Sequence, residues 1–120
     1  MTKKILLVED DLLAAAAYRK QIERLGYAVE LAIDGLEAIS KSKDGFHCII
    51  LDVSLPKIGG WDVLNKLKDD SETKDIPVLI YTVLDGIEYR AKAEKLGAHA
   101  FVNKTRDNLI SEIEKILPLN

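Results

Sequence analysis

Five short apolar runs punctuate this chain, each separated from the next by a stretch of helical periodicity. That alternation restricts the fold more than any other feature. The runs fall at residues 5–8 (ILLV), 28–32 (AVELA), 48–51 (CIIL), 77–81 (PVLIY) and 100–102 (AFV). Short runs that are mostly apolar fit strands buried on both faces, as in parallel sheets. Between the first two, Leu12, Ala15, Tyr18, Ile22 and Leu25 recur three or four apart, which predicts one helix face, and Gly26 stands where such a helix stops. Asp34 is placed to cap a helix carrying Leu36 and Ile39. Residues 55–60 hold Pro56, Gly59 and Gly60 and read as a loop before a helix over 61–67. Residues 70–75 form a polar connection, 85–96 a helix closed by Gly97, and Leu109, Ile113 and Ile116 share a face of the last helix, flanked by Ile110 and Leu117. Strands alternating with helices imply an α/β fold, a parallel sheet covered on both faces with right-handed crossovers.

The 120 residues are the size of one domain, and a single domain over 1–120 is expected, without internal linker or repeat. Net charge is −3, from 17 basic and 20 acidic residues, which argues against a broad basic face for nucleic acid. Cys48 is the only cysteine, so no intrachain disulfide or cysteine-based zinc site can form, and a lone thiol fits a reducing compartment. Lys3 and Lys4 precede an apolar run too short for a secretion signal, and no segment has the length of about 18 apolar residues that a membrane helix needs. A cytoplasmic protein with no membrane contact is expected.

Chemistry collects where the apolar runs end. Glu9, Asp10 and Asp11 follow the first, Asp52 the third, Thr82 the fourth, and Lys104 comes shortly after the fifth. In open α/β sheets ligands bind beyond the carboxyl ends of the strands. Three acids in a row at the end of a buried strand repel one another and lose hydration, an arrangement that a divalent cation would relieve. Mg²⁺ suits an all-oxygen site. A cation beside a carboxylate, a hydroxyl and a lysine is the equipment of phosphoryl transfer, with Asp52 as nucleophile.

At these residues the sequence resembles the receiver domain of two-component response regulators. The matching pieces are LLVEDD at 6–11, LAIDGLEAI at 31–39, IILDVSLPKIGG at 49–60, PVLIYT at 77–82 and LGAHAFVNK at 96–104. The resemblance implies a flavodoxin-like, doubly wound five-stranded sheet, strand order 2-1-3-4-5, flanked by five helices. It implies that Asp52 accepts the phosphoryl group from a histidine kinase or histidine phosphotransfer protein. Asp10, Asp52 and the Ser54 carbonyl would ligate Mg²⁺, with Glu9 acting through water. Thr82 and Lys104 would meet the phosphoryl oxygens, and Phe101 would be the switch aromatic that turns inward with Thr82. Asp11 reads instead as a helix cap. The output would be a downstream protein docking on the face of the fourth helix, fifth strand and fifth helix, around Ile87, Tyr89, Ala91 and Phe101. The resemblance describes a signalling switch rather than a turnover enzyme.

The sequence departs from the family pattern at three places. Thr105 follows the lysine where a cis proline is usual; a cis bond before a non-proline residue costs about 2.5–4 kcal/mol, so either a trans bond with local rearrangement or a strained cis bond is expected. Val83 would narrow the approach to Asp52, and Leu84 has no polar group to position water, which implies slow autodephosphorylation. Two other readings compete. A degenerate receiver would bind a partner without phosphorylation. An aspartyl-phosphate phosphatase would usually carry a second aspartate at the position of Ser54. His47, His99 and Cys48 read as structural.

Overall fold

The computed structural model describes residues 2–55 and 57–119; Pro56, part of the expected 55–60 loop, lies outside the described residues. Five strands, β1 (Lys4–Val8), β2 (Ala28–Ala32), β3 (Cys48–Leu51), β4 (Val78–Thr82) and β5 (Ala100–Asn103), alternate with five helices, α1 (Leu12–Arg24), α2 (Gly35–Lys41), α3 (Gly60–Asp69), α4 (Ile87–Lys95) and α5 (Leu109–Ile116). All four strand pairings are parallel, in the order β2-β1-β3-β4-β5. The doubly wound architecture and its strand order are therefore as expected.

The sheet has two apolar faces because successive side chains point to opposite sides. Leu6, Val8, Ile49, Leu51, Val78 and Ile80 line one face and pack with Ala38, Val63, Leu64, Leu67 and Ala93 from α2, α3 and α4. Ile5, Leu7, Cys48, Ile50, Leu79 and Tyr81 line the other and pack with Ile22, Leu109 and Ile113 from α1 and α5. Burial pushes the Cys48 thiol up to about 12, so it stays protonated and inert.

The caps follow the sequence. Asp11 accepts from the N–H groups of Leu13 (3.1 Å) and Ala14 (3.2 Å) at the start of α1. Asp34 accepts from Glu37 N–H at 2.8 Å at the start of α2 and pairs with Lys57 at 3.0 Å. His47 accepts from Lys4 N–H through Nδ1 at 3.0 Å, a structural role. Two helix faces differ from their periodicity. Leu12 (64% exposed) and Leu25 do not join Ala15 and Ile22 in the core, and Leu36 is exposed where Ala38 is buried. Leu12 and Leu36 lie in the first turns of α1 and α2, and period alone does not bury them.

Candidate phosphoryl site

The sheet reverses direction of progression between β1 and β3: the chain runs from β1 outward to β2, then returns to the far side of β1 with β3. Ligands bind at such a switch point. Parallel register pairs Val8 with Leu51, so Glu9 and Asp52 leave adjacent strands side by side, and Asp52 N–H still donates to Val8 O at 3.3 Å. Glu9 is itself tied to the other neighbour, donating its N–H to Ala32 O at 3.0 Å.

Only part of the acidic run is buried. Glu9 is 3% and Asp52 7% exposed, while Asp10 and Asp11 face solvent. The repulsion expected among three packed carboxylates is thus smaller than the sequence suggests, because two of the three keep their hydration. The buried pair shares one counter-ion. Lys104 Nζ lies 2.7 Å from Glu9 Oε1 and 2.7 Å from Asp52 Oδ2. Asp52 Oδ1 accepts from Ser54 N–H at 3.0 Å. Burial raises the Glu9 pKa, and the Lys104 ammonium offsets only part of that. Burial opposes the charge on Lys104 too, but its bonds to Asp52 and Glu9 outweigh the loss of water and leave its pKa raised.

Carboxylate oxygens of Glu9, Asp10 and Asp52 lie within 4.8 Å of one another. The donors are all hard oxygens and the site opens to solvent through Asp10, which fits an ion that keeps several waters.

Thr82 is fully buried at the end of β4; its Oγ1 accepts from Leu84 N–H at 3.3 Å, and its carbonyl accepts from Lys104 N–H at 2.8 Å. Phe101 is half-buried on β5, with the Arg90 guanidinium 4.8 Å from its ring centroid and donating to its carbonyl at 3.3 Å. Val83 is largely exposed. The Lys104–Thr105 peptide is trans, one of the two expected outcomes; no described peptide bond is cis.

Two residues at the site had no signal in the sequence reading. Tyr81 presents its ring to the Lys104 ammonium, 5.0 Å from centroid to Nζ, and so lines the path by which the lysine that follows edge strand β5 crosses β4 to reach Asp52. Asn103, the last residue of β5, is buried and hydrogen-bonded to both flanking loops. The apolar runs include Tyr81 only as a strand residue and stop short of Asn103.

The profile of the response regulator receiver domain matches residues 5–114 of this chain. The chain belongs to the response regulator receiver family. This receiver is 36% identical over 102 residues to the transcriptional regulatory protein CusR of Escherichia coli (strain K12), covering 84% of the receiver and 44% of CusR. It is 31% identical over 117 residues to the response regulator MprA of Mycobacterium leprae, covering 95% of the receiver and 50% of MprA. The receiver thus spans about half the length of the curated relatives it matches. Among solved structures, the chemotaxis response regulator CheY4 of Vibrio cholerae superposes with a TM-score of 0.88 at 26% identity, covering 98% of the receiver and 100% of CheY4. The response regulator TrrA of Thermotoga maritima, solved in complex with Mg²⁺–BeF, superposes at 0.84 with 27% identity, covering 97% of the receiver and 100% of TrrA.

Proposed function

We propose that this receiver, as one domain over 1–120, takes a phosphoryl group onto Asp52 from the phosphohistidine of a histidine kinase or phosphotransfer protein. The observation that carries the reading is one lysine bonded equally to two buried carboxylates at the switch point, with a third carboxylate beside them. An Asp52 carboxylate oxygen attacks phosphorus, the phosphorus–nitrogen bond of the donor breaks, and the leaving imidazole nitrogen takes up a proton. The product is an acyl phosphate on Asp52. Mg²⁺, held by Asp10, Asp52 and the Ser54 carbonyl with Glu9 behind them, would neutralise charge on the phosphoryl oxygens. Lys104 moves from the Asp52 carboxylate to a phosphoryl oxygen, and the Thr82 hydroxyl donates to another.

Drawing Thr82 inward vacates space beside Phe101, whose ring then turns inward and changes the face made by α4, β5 and α5. Ile87 is 84% exposed on that face and Ala91 is exposed beside it, a surface for a downstream protein. The rim of the site itself carries exposed Leu12, Leu13, Ile33, Leu36 and Val83, apolar contact area for the phosphodonor. The receiver acts as a switch rather than a turnover enzyme, in the cytoplasm. Among the described residues no helix is long and apolar enough to cross a membrane. A net charge of −3 speaks against direct nucleic-acid contact by residues 1–120.

The test is intact mass after incubation with acetyl phosphate, with and without Mg²⁺, beside Asp52→Asn. A single phosphoryl adduct that requires both Mg²⁺ and Asp52 supports the reading. No adduct on a wild-type chain that binds Mg²⁺ would favour a phosphorylation-independent binding module.

A further inference from the structure

Asn103 stands next to Lys104 and is 1% exposed. Its Nδ2 donates to the carbonyls of Val83 (3.4 Å) and Leu84 (3.2 Å). Its Oδ1 accepts from the Thr105 N–H (3.0 Å) and the Thr105 hydroxyl (2.6 Å). An asparagine amide has two donor hydrogens and one carbonyl with two lone pairs, so this side chain is fully satisfied. Its backbone N–H donates to Asp107 Oδ2 at 2.9 Å, and the same carboxylate pairs with Arg90 at 3.2 Å.

These bonds join two loops far apart in sequence, which the ion pair of Arg106 with Asp85 also bridges further along. Val83 and Leu84 directly follow Thr82, and Thr105 directly follows Lys104. Thr82 and Asn103 are register partners across β4 and β5. Asn103 therefore adjoins both Thr82, its register partner, and Lys104, its neighbour in sequence, the residues that on the reading above receive the phosphoryl oxygens. An apolar residue would fill the same buried position without making any of the four side-chain bonds. The arrangement also shows how the chain turns at 105 without proline: Thr105 bonds back to Asn103 through a trans peptide.

We propose that Asn103, held in orientation by Thr105, is a positioning residue for the phosphoryl site: it fixes loop 83–84 against the turn after β5 and so sets the spacing of Thr82 Oγ1 and Lys104 Nζ. This rests on the phosphoacceptor reading of Asp52. The carboxylates that would hold Mg²⁺ belong to the ends of β1 and β3; among the described residues they bond to Lys104 but not to Asn103, Thr105, Val83 or Leu84. Loosening the Asn103 bonds reaches the metal site only through Lys104, so phosphoryl binding should weaken more than metal binding.

The experiment is calorimetric titration of the whole 120-residue chain with Mg²⁺ alone, then with beryllofluoride, a phosphoryl mimic, at saturating Mg²⁺. For Asn103→Ala, beryllofluoride affinity falls about tenfold while Mg²⁺ affinity holds to within about twofold, the loss expected from one or two hydrogen bonds. Thr105→Val, at an exposed position, gives a smaller loss of about threefold with the same split, and decides the matter alone should Asn103→Ala not fold. Unchanged beryllofluoride affinity in a folded variant overturns the proposal, as does equal weakening of both ligands. A wild-type chain that binds Mg²⁺ but no beryllofluoride removes the phosphoacceptor reading itself, and the positioning role with it.

Discussion

Replacing Gly60 by alanine strikes the site from behind. Gly60 opens α3, and its N–H donates to Val53 O at 3.0 Å. A Cβ added there would stand 2.2 Å from Val53 Cα, 2.4 Å from the Asp52 carbonyl oxygen and 3.0 Å from the Asp52 carbonyl carbon. All three atoms are backbone, so no side chain can rotate aside, and either the start of α3 or the end of β3 must move. Overpacking typically costs about 1–3 kcal/mol, and contact with backbone puts this case at the upper end. Alanine recovers at most about 1 kcal/mol of helix propensity, which leaves a net loss of about 2 kcal/mol. For a domain of this size that lowers Tm by about 6–10 °C. Thermal unfolding followed by circular dichroism measures the loss, and acetyl phosphate uptake follows the displaced Asp52, slowing in a variant that is still folded at the assay temperature. A Gly60→Ala protein with Tm within about 2 °C of wild type and unchanged uptake would refute the reasoning.

Three further outcomes follow from the same geometry. Lys104→Met leaves Glu9 and Asp52 buried together without a counter-ion and should cost about 3 kcal/mol in urea unfolding without metal; because Mg²⁺ replaces the missing charge, it should stabilise this variant more than wild type, and equal stabilisation would count against a shared carboxylate site. Asp34 has a pKa below its ordinary 3.8, through its bond from Glu37 N–H and its pair with Lys57. Its contribution is therefore present above pH 3.8 and is lost as pH falls through the depressed folded value. Asp34→Asn keeps the cap but lacks the charge and cannot titrate, so it should be less stable than wild type at pH 7, converge with it at low pH and show a less steep acid limb, and an unaltered acid limb would contradict the linkage. Leu84 is partly buried against the core and offers no polar atom to orient water, so Leu84→Glu should shorten the lifetime of phosphorylated protein in a chase after donor removal; an unchanged lifetime would remove that explanation for slow loss.

The alternation of apolar runs and helical periods was enough to read the sheet, because strands buried on both faces leave an unmistakable pattern and crossovers have one hand. The strand-end residues were legible for a related reason: a buried strand that stops at a charge announces the boundary of the core, as Val8–Glu9 and Leu51–Asp52 do. What escaped the sequence depends on distances between elements. Whether Leu12 is buried turns on where the first turn of α1 lies relative to the core, and periodicity carries no information about that. Glu9 and Asp10 are neighbours in sequence, yet one is buried against Lys104 and the other faces water, a difference decided by the direction each side chain leaves the strand. Asn103 reads as an ordinary polar strand end until the loop after Thr82 is placed beside it. The unusual Thr105 makes sense only together with that asparagine.

Among four neighbouring strand-end acids, Glu9, Asp10, Asp11 and Asp52, the proposed function makes Asp52 the single phosphoryl acceptor. The most direct test is to phosphorylate the chain with acetyl phosphate and Mg²⁺, reduce the acyl phosphate with borohydride, and map the modified residue by peptide mass spectrometry. The geometry predicts reduction at Asp52 alone. Modification of Glu9, Asp10 or Asp11, with Asp52 untouched, would contradict it.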